Sequence, residues 1–182
     1  MRYRRVMAAA PSFLLSALLL SLSLPLGACG GSTTASDAPS IANPLDADRS
    51  AAVHQLNVLR QMAGVPLATN CVSLNVSASA HSDDMRNNGY LNDVAPDGST
   101  VRTRACTAGY APGCVASTSM AELVAEGYAS GEDTVNQWDA DPTSGPLLVN
   151  PGLVWVGVGR AIGATDQYWT LDMAGTADAS CN

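Results

Sequence analysis

Two stretches near the end of this 182-residue chain restrict its architecture more than any others. Val154 to Val158 is a continuous apolar run, and Tyr168 to Met173 alternates, with Trp169, Leu171 and Met173 on one face and Tyr168, Thr170 and Asp172 on the other. A turn at Gly163 to Asp166 lies between them, so the pair predicts a β-hairpin. Upstream the period becomes helical. Ala52, Leu56, Leu59 and Ala63 recur at helix spacing, Asp46 or Asp48 can cap the start, and Gly64 followed by Pro66 stops the run. A second helix follows Asn70, a candidate N-cap, carries Leu74, Ala78, His81 and Met85 on one stripe, and ends at Gly89. A third opens on a Ser130–Asp133 capping box, continues through Val135 and Trp138, and stops near Pro142. Residues 91–118 are loop-rich, with a turn at Pro96-Asp97-Gly98 and one short helix at Thr100 to Ala105, while Ala121 to Ala125 reads as a strand. Helices followed by a hairpin give an α+β layered domain.

The N-terminus is of another kind. Arg2, Arg4 and Arg5 precede an apolar stretch through Phe13, Leu14 and Leu18 to Leu24, which ends in the string LGAC at Leu26 to Cys29. Pro11 and three serines interrupt the apolar part, so it reads as a signal peptide and not a membrane span. The LGAC string resembles the bacterial lipobox, which implies cleavage before Cys29 and acylation of that cysteine by palmitate-type chains. More than one such chain is needed for stable attachment. Residues 1–28 are therefore expected to be a lipoprotein signal peptide and residues 29–45 a lipid-anchored tether, with small and polar composition and a reach of roughly 20 Å by random-coil scaling. Residues 46–182 form the domain. The expected location is the bacterial envelope, facing away from the cytoplasm. Gly30 after the anchor points to the outer membrane if the cell is Gram-negative.

Charge and cysteine usage agree with export. Removing the signal takes three of nine basic residues and none of sixteen acids, so the mature chain is more acidic than the full-length net charge of −7. That balance excludes nucleic acid as a partner. Cys71, Cys106, Cys114 and Cys181 remain besides Cys29, an even number most simply read as two disulfides. Of three pairings, Cys106 with Cys114 and Cys71 with Cys181 is preferred: the first closes a short Gly- and Pro-containing loop, the second ties down the C-terminal segment. Neither pair has the C-x-x-C spacing of zinc modules.

The run WDADPTSGPLLVNPGLVWVGVG, Trp138 to Gly159, resembles the bacterial branch of the CAP superfamily: the cysteine-rich secretory, antigen 5 and pathogenesis-related proteins, or SCP domains. Trp138, Pro142, Asn150, Pro151, Gly157, Val158 and Gly159 fall on the family pattern, as do LNVLRQMAGVPLATN at Leu56 to Asn70, the Pro96-Asp97-Gly98 turn and YWTLDMAG at Tyr168 to Gly175. The resemblance covers nearly all of Asp46 to Gly175 and implies a three-layer α-β-α sandwich.

In that family a central cleft gathers up to two histidines and two acids, which bind a divalent metal in some members. Carried over residue by residue, the first histidine becomes Asn92 or Asp93, the first glutamate is Glu122, the second acid falls on Asp141 and the second histidine becomes Ser144. Without imidazole the cleft loses the donors that favour zinc and copper, and its carboxylate and hydroxyl oxygens are a sparse set for calcium. No cofactor is therefore expected. The leading expectation is a non-catalytic binding module whose partner is an apolar small molecule, an envelope polymer or a protein. The alternative is a hydrolase rebuilt around Glu122 and Asp141, with Asn92 or Ser144 assisting, in which two acids divide acid and base roles. Ser144 has neither a nucleophile elbow nor a nearby histidine. His81, on the apolar stripe, reads as a buried structural histidine, and His54, off its stripe, as exposed. Glu126, Glu132 and Asp133 read as a solvated face. The formal glycan acceptor Asn75-Val76-Ser77 lies in a helix and is set aside.

Overall fold

The computed structural model describes residues 45–181; Cys29 and the expected signal and tether up to residue 44 lie outside these. The elements are α1 (Ala47–Met62), β1 (Thr69–Asn70), α2 (Val72–Asn88), α3 (Val101–Thr107), a 3-10 turn (Ala111–Cys114), β2 (Met120–Glu126), α4 (Gly131–Ala140), α5 (Gly145–Leu148), β3 (Trp155–Ile162) and β4 (Gln167–Ala174). The sheet runs β1-β3-β4-β2, with β1 parallel to β3 and the other pairs antiparallel. The α+β architecture is as expected.

The two faces of the sheet are built differently. On one, Val156, Val158, Trp169, Leu171, Met173, Leu123 and Ala125 pack with Ala52 and Leu56 of α1 and Val135 and Trp138 of α4. This is an apolar core of the ordinary kind. On the other, α2 lies against β3 and β4 so closely that a Cβ on Gly159 would stand 2.1 Å from the carbonyl carbon of Ala78. The bonds across that face are polar. Ser82 donates to Thr170 at 2.9 Å, and the buried Asn75 accepts from the amide of Val158 at 2.9 Å through Oδ1, which leaves no room for a glycan.

The capping readings hold at Asp46 for α1 and Ser130 for α4, and the short α3 is capped by Thr100; each accepts from the backbone three residues on. Two details differ. The stripe of α1 ends on Arg60 and not Ala63: Arg60 is fully buried, whereas Ala63 is exposed, because the guanidinium donates to the carbonyls of Pro66, Leu148 and Asn150 at 2.7, 2.7 and 3.1 Å. The N-cap of α2 is Cys71, not Asn70, and no side chain of its own turn caps it. Ser180 does so from the far end of the domain, its carbonyl accepting from the Val72 amide at 3.0 Å and its hydroxyl from the Ser73 amide at 3.1 Å. The disulfides join Cys71 to Cys181 and Cys106 to Cys114.

Candidate functional site

Alternation along β2 and β4 sets the centre of the polar face. Glu122 lies directly across from Asp172, and Asp172 across from Gly157 on the following strand. The glycine lets α2 approach, so both carboxyl groups are sealed beneath that helix. The side chain of Glu122 is 2% exposed and Asp172 is 0% exposed. Arg104 of α3 donates from Nη2 to Glu122 Oε2 at 2.5 Å and to the Asp93 carbonyl at 2.7 Å, and from Nη1 to the Ser99 carbonyl at 2.7 Å. His81 of α2 is fully buried; its Nε2 lies 2.9 Å from the Asn92 carbonyl and 3.7 Å from Glu122 Oε2. With Nε2 carrying the proton, His81 donates to that carbonyl, which is the structural role expected of it. Burial above all pulls the proton affinity of His81 below its ordinary value, with Arg104 acting in the same direction and Glu122 against it.

The residues expected to line a cleft are divided. Glu122 is inside, held by Arg104. Asn92 and Asp93 are exposed on the loop above it; Asn92 accepts from His81 through its backbone and from the Val94 amide through Oδ1, and Asp93 offers its carbonyl to Arg104. Asp141 and Ser144 lie elsewhere, with Leu91, Glu126, Tyr128 and Trp138 around a depression of about 240 Å³ that Glu122 does not line. Asp141 closes the turn after α4, its Oδ1 accepting from the amides of Thr143 and Ser144 at 2.8 and 2.9 Å, and those bonds hold its carboxyl below the usual range. No histidine lines this depression.

The donors do not fit a divalent metal. Among the described residues the one set of three close potential ligands is Cys71, Asp178 and Cys181, and its sulfurs are joined in a disulfide. Glu122, His81 and Asp172 do not bring their donor atoms together in this way, and a guanidinium already occupies Glu122.

A larger pocket, about 420 Å³, opens between α2 and α3. Val76, Ala80 and Ala108 give it an apolar surface; Ser77, Ser99, Thr103 and Thr107 add hydroxyls, Asp97 a carboxylate and Arg104 a guanidinium edge. Sequence reasoning placed Asp172 on the second face of its strand but took neither it nor Arg104 for a site residue. The usable signal was the polar face of β4 itself, because in a domain with helices on both sides of the sheet such a face is buried.

Layers, topology and the Trp138–Gly159 segment together define a class, and the chain belongs to it: the CAP family, whose model, described as the cysteine-rich secretory protein family, matches residues 53–173. Among solved structures, an outer surface protein of Borrelia burgdorferi superposes with a TM-score of 0.62 at 16% identity, covering 71% of this chain and 93% of that one. An extracellular protein containing a SCP domain from Bacillus anthracis gives 0.58 at 21% identity, covering 74% of this chain and 45% of that one, so the match spans under half of the Bacillus protein. These likenesses establish the fold. No curated protein matches the chain by sequence.

Proposed function

We propose that this chain is an extracytoplasmic CAP domain, anchored through a lipid on Cys29, that works by binding and not by catalysis. The observation that carries the reading is how the carried-over polar groups are used. Glu122 is neutralised by Arg104 in a buried ion pair, and Asp141 is a half-buried turn cap on a depression that Glu122 does not line, so these two carboxyls do not face one accessible point. General acid–base chemistry needs both groups within reach of one substrate bond. This weighs against the hydrolase rebuilt around Glu122 and Asp141. Two disulfides support an oxidising compartment. No helix among the described residues is long and apolar enough to cross a membrane.

The pocket between α2 and α3 suits a small molecule with an apolar body and hydroxyl or amide groups. Calorimetry with zinc and calcium on the full chain, beside a screen of amphipathic small molecules, tests the reading. Saturable binding that Ala80→Trp abolishes, with no stoichiometric metal uptake, is expected. Tight one-to-one zinc binding would overturn it.

A further inference from the structure

Glu122 and Asp172 face each other across neighbouring strands with almost no access to solvent. Of their four oxygens only Glu122 Oε2 has a donor, Arg104; Glu122 Oε1 and both oxygens of Asp172 have none. The surroundings supply no second cation. From α2 come His81 and the Ser77 hydroxyl, which lies near enough to Asp172 to favour its charged form but is not aligned to bond either oxygen; from α3 comes Arg104, and β3 contributes Gly157. Two carboxylates here would set two buried negative charges against one guanidinium, with three oxygens unbonded, a costly arrangement in a low-dielectric interior.

One added proton resolves this, and the geometry says where it resides. On His81 it would produce an imidazolium whose Nδ1–H has no acceptor, since Nδ1 is buried and unpartnered. On Asp172 it becomes an O–H that the Glu122 carboxylate, directly across the strand pair, can accept. We propose that Glu122 and Asp172 hold a single proton between them, carried by Asp172, and that with Arg104 they form a neutral buried unit whose ionisation is a built-in response to rising pH. The directions of titration agree. Burial first, then the Glu122 carboxylate, hold the Asp172 carboxyl well above the usual range, while His81 is shifted the opposite way.

A carboxyl that binds its proton more tightly folded than unfolded stabilises the fold fully below its unfolded value, and loses that contribution as pH climbs toward the folded one. The domain should therefore weaken as pH rises from the ordinary carboxylate range toward the raised value of Asp172. Because Arg104 also walls the α2–α3 pocket, ionising Asp172 creates a competitor to Glu122 for the guanidinium beside that pocket. The test is carbon-detected NMR on the full chain labelled at aspartate and glutamate carboxyls, with thermal unfolding across pH. One carboxyl carbon should stay at its protonated position well above the pH at which the other carboxyls titrate and vanish in Asp172→Asn, and that variant should lose most of the wild-type dependence of melting temperature on pH. Ordinary titration of every carboxyl in the wild type, or an unchanged pH slope in Asp172→Asn, would overturn the proposal. Should the variant fail to fold, the wild-type spectrum decides alone.

Discussion

A Cβ on Gly157 would stand 2.1 Å from the carbonyl carbon of Leu74 and 2.4 Å from the amide nitrogen of Asn75. Both are backbone atoms of α2, so no rotamer change relieves the overlap. Gly157→Ala should lower stability by about 3 kcal/mol or more, at the upper end of overpacking costs, because α2 must move off the sheet. Urea unfolding measures the loss, and increased amide exchange in α2 would localise it. An unchanged midpoint would mean that the helix rides higher than described.

Arg60 is the second test. Its guanidinium donates to three carbonyls from the Pro66 turn, the end of α5 and the α5–β3 connection, and truncation takes the donor from the buried bond to Leu148 and one donor each from Pro66 and Asn150. Arg60→Ala is expected to cost about 3–5 kcal/mol. Arg60→Lys should recover only part of this, since an ammonium cannot span the three acceptors. Equal stability of the two variants would show that charge, not the fork geometry, matters.

The two disulfides should differ in value. Cys71 and Cys181 are 110 residues apart, Cys106 and Cys114 only 8. Loop-closure entropy assigns about 4.8 kcal/mol to the longer crosslink and about 2.6 kcal/mol to the shorter. Paired serine substitutions followed by chemical denaturation give the order. The reverse order would place the difference in native-state packing around the short loop.

Attachment can be separated from folding. Cys29→Ser should move the protein from the membrane to the soluble fraction, with the circular dichroism of the domain unchanged. Unaltered detergent partitioning would refute acylation at this position.

What the sequence displayed depended on how local the governing interaction is. The caps at Asp46 and Ser130, the stop at Gly89 and the β3–β4 hairpin are settled within a few residues, and all were legible. The family strings also acquire physical reasons. Asn57 exchanges two hydrogen bonds with the backbone of Ala68, Trp138 donates to the Val124 carbonyl, and Asn150 accepts from the Gly152 amide to shape the turn before β3. Asp172 escaped because its alternation with Trp169, Leu171 and Met173 looks identical whether the opposite face meets water or a helix. Arg104 escaped because its partner lies two elements away on β2. Ser180 capping α2 is less local still.

That last contact bears on when the domain takes shape during synthesis. The helix that roofs Glu122 and Asp172 has its first turn completed by residues more than a hundred positions later, through Ser180 and the Cys71–Cys181 bridge. Closing so long a loop precedes any reward from it, which slows assembly. A nascent chain halted before Asp178 would leave α2 uncapped and Cys71 a free thiol. Maturation is therefore a late event, since the Cys71–Cys181 bridge can close only once the last residues are made.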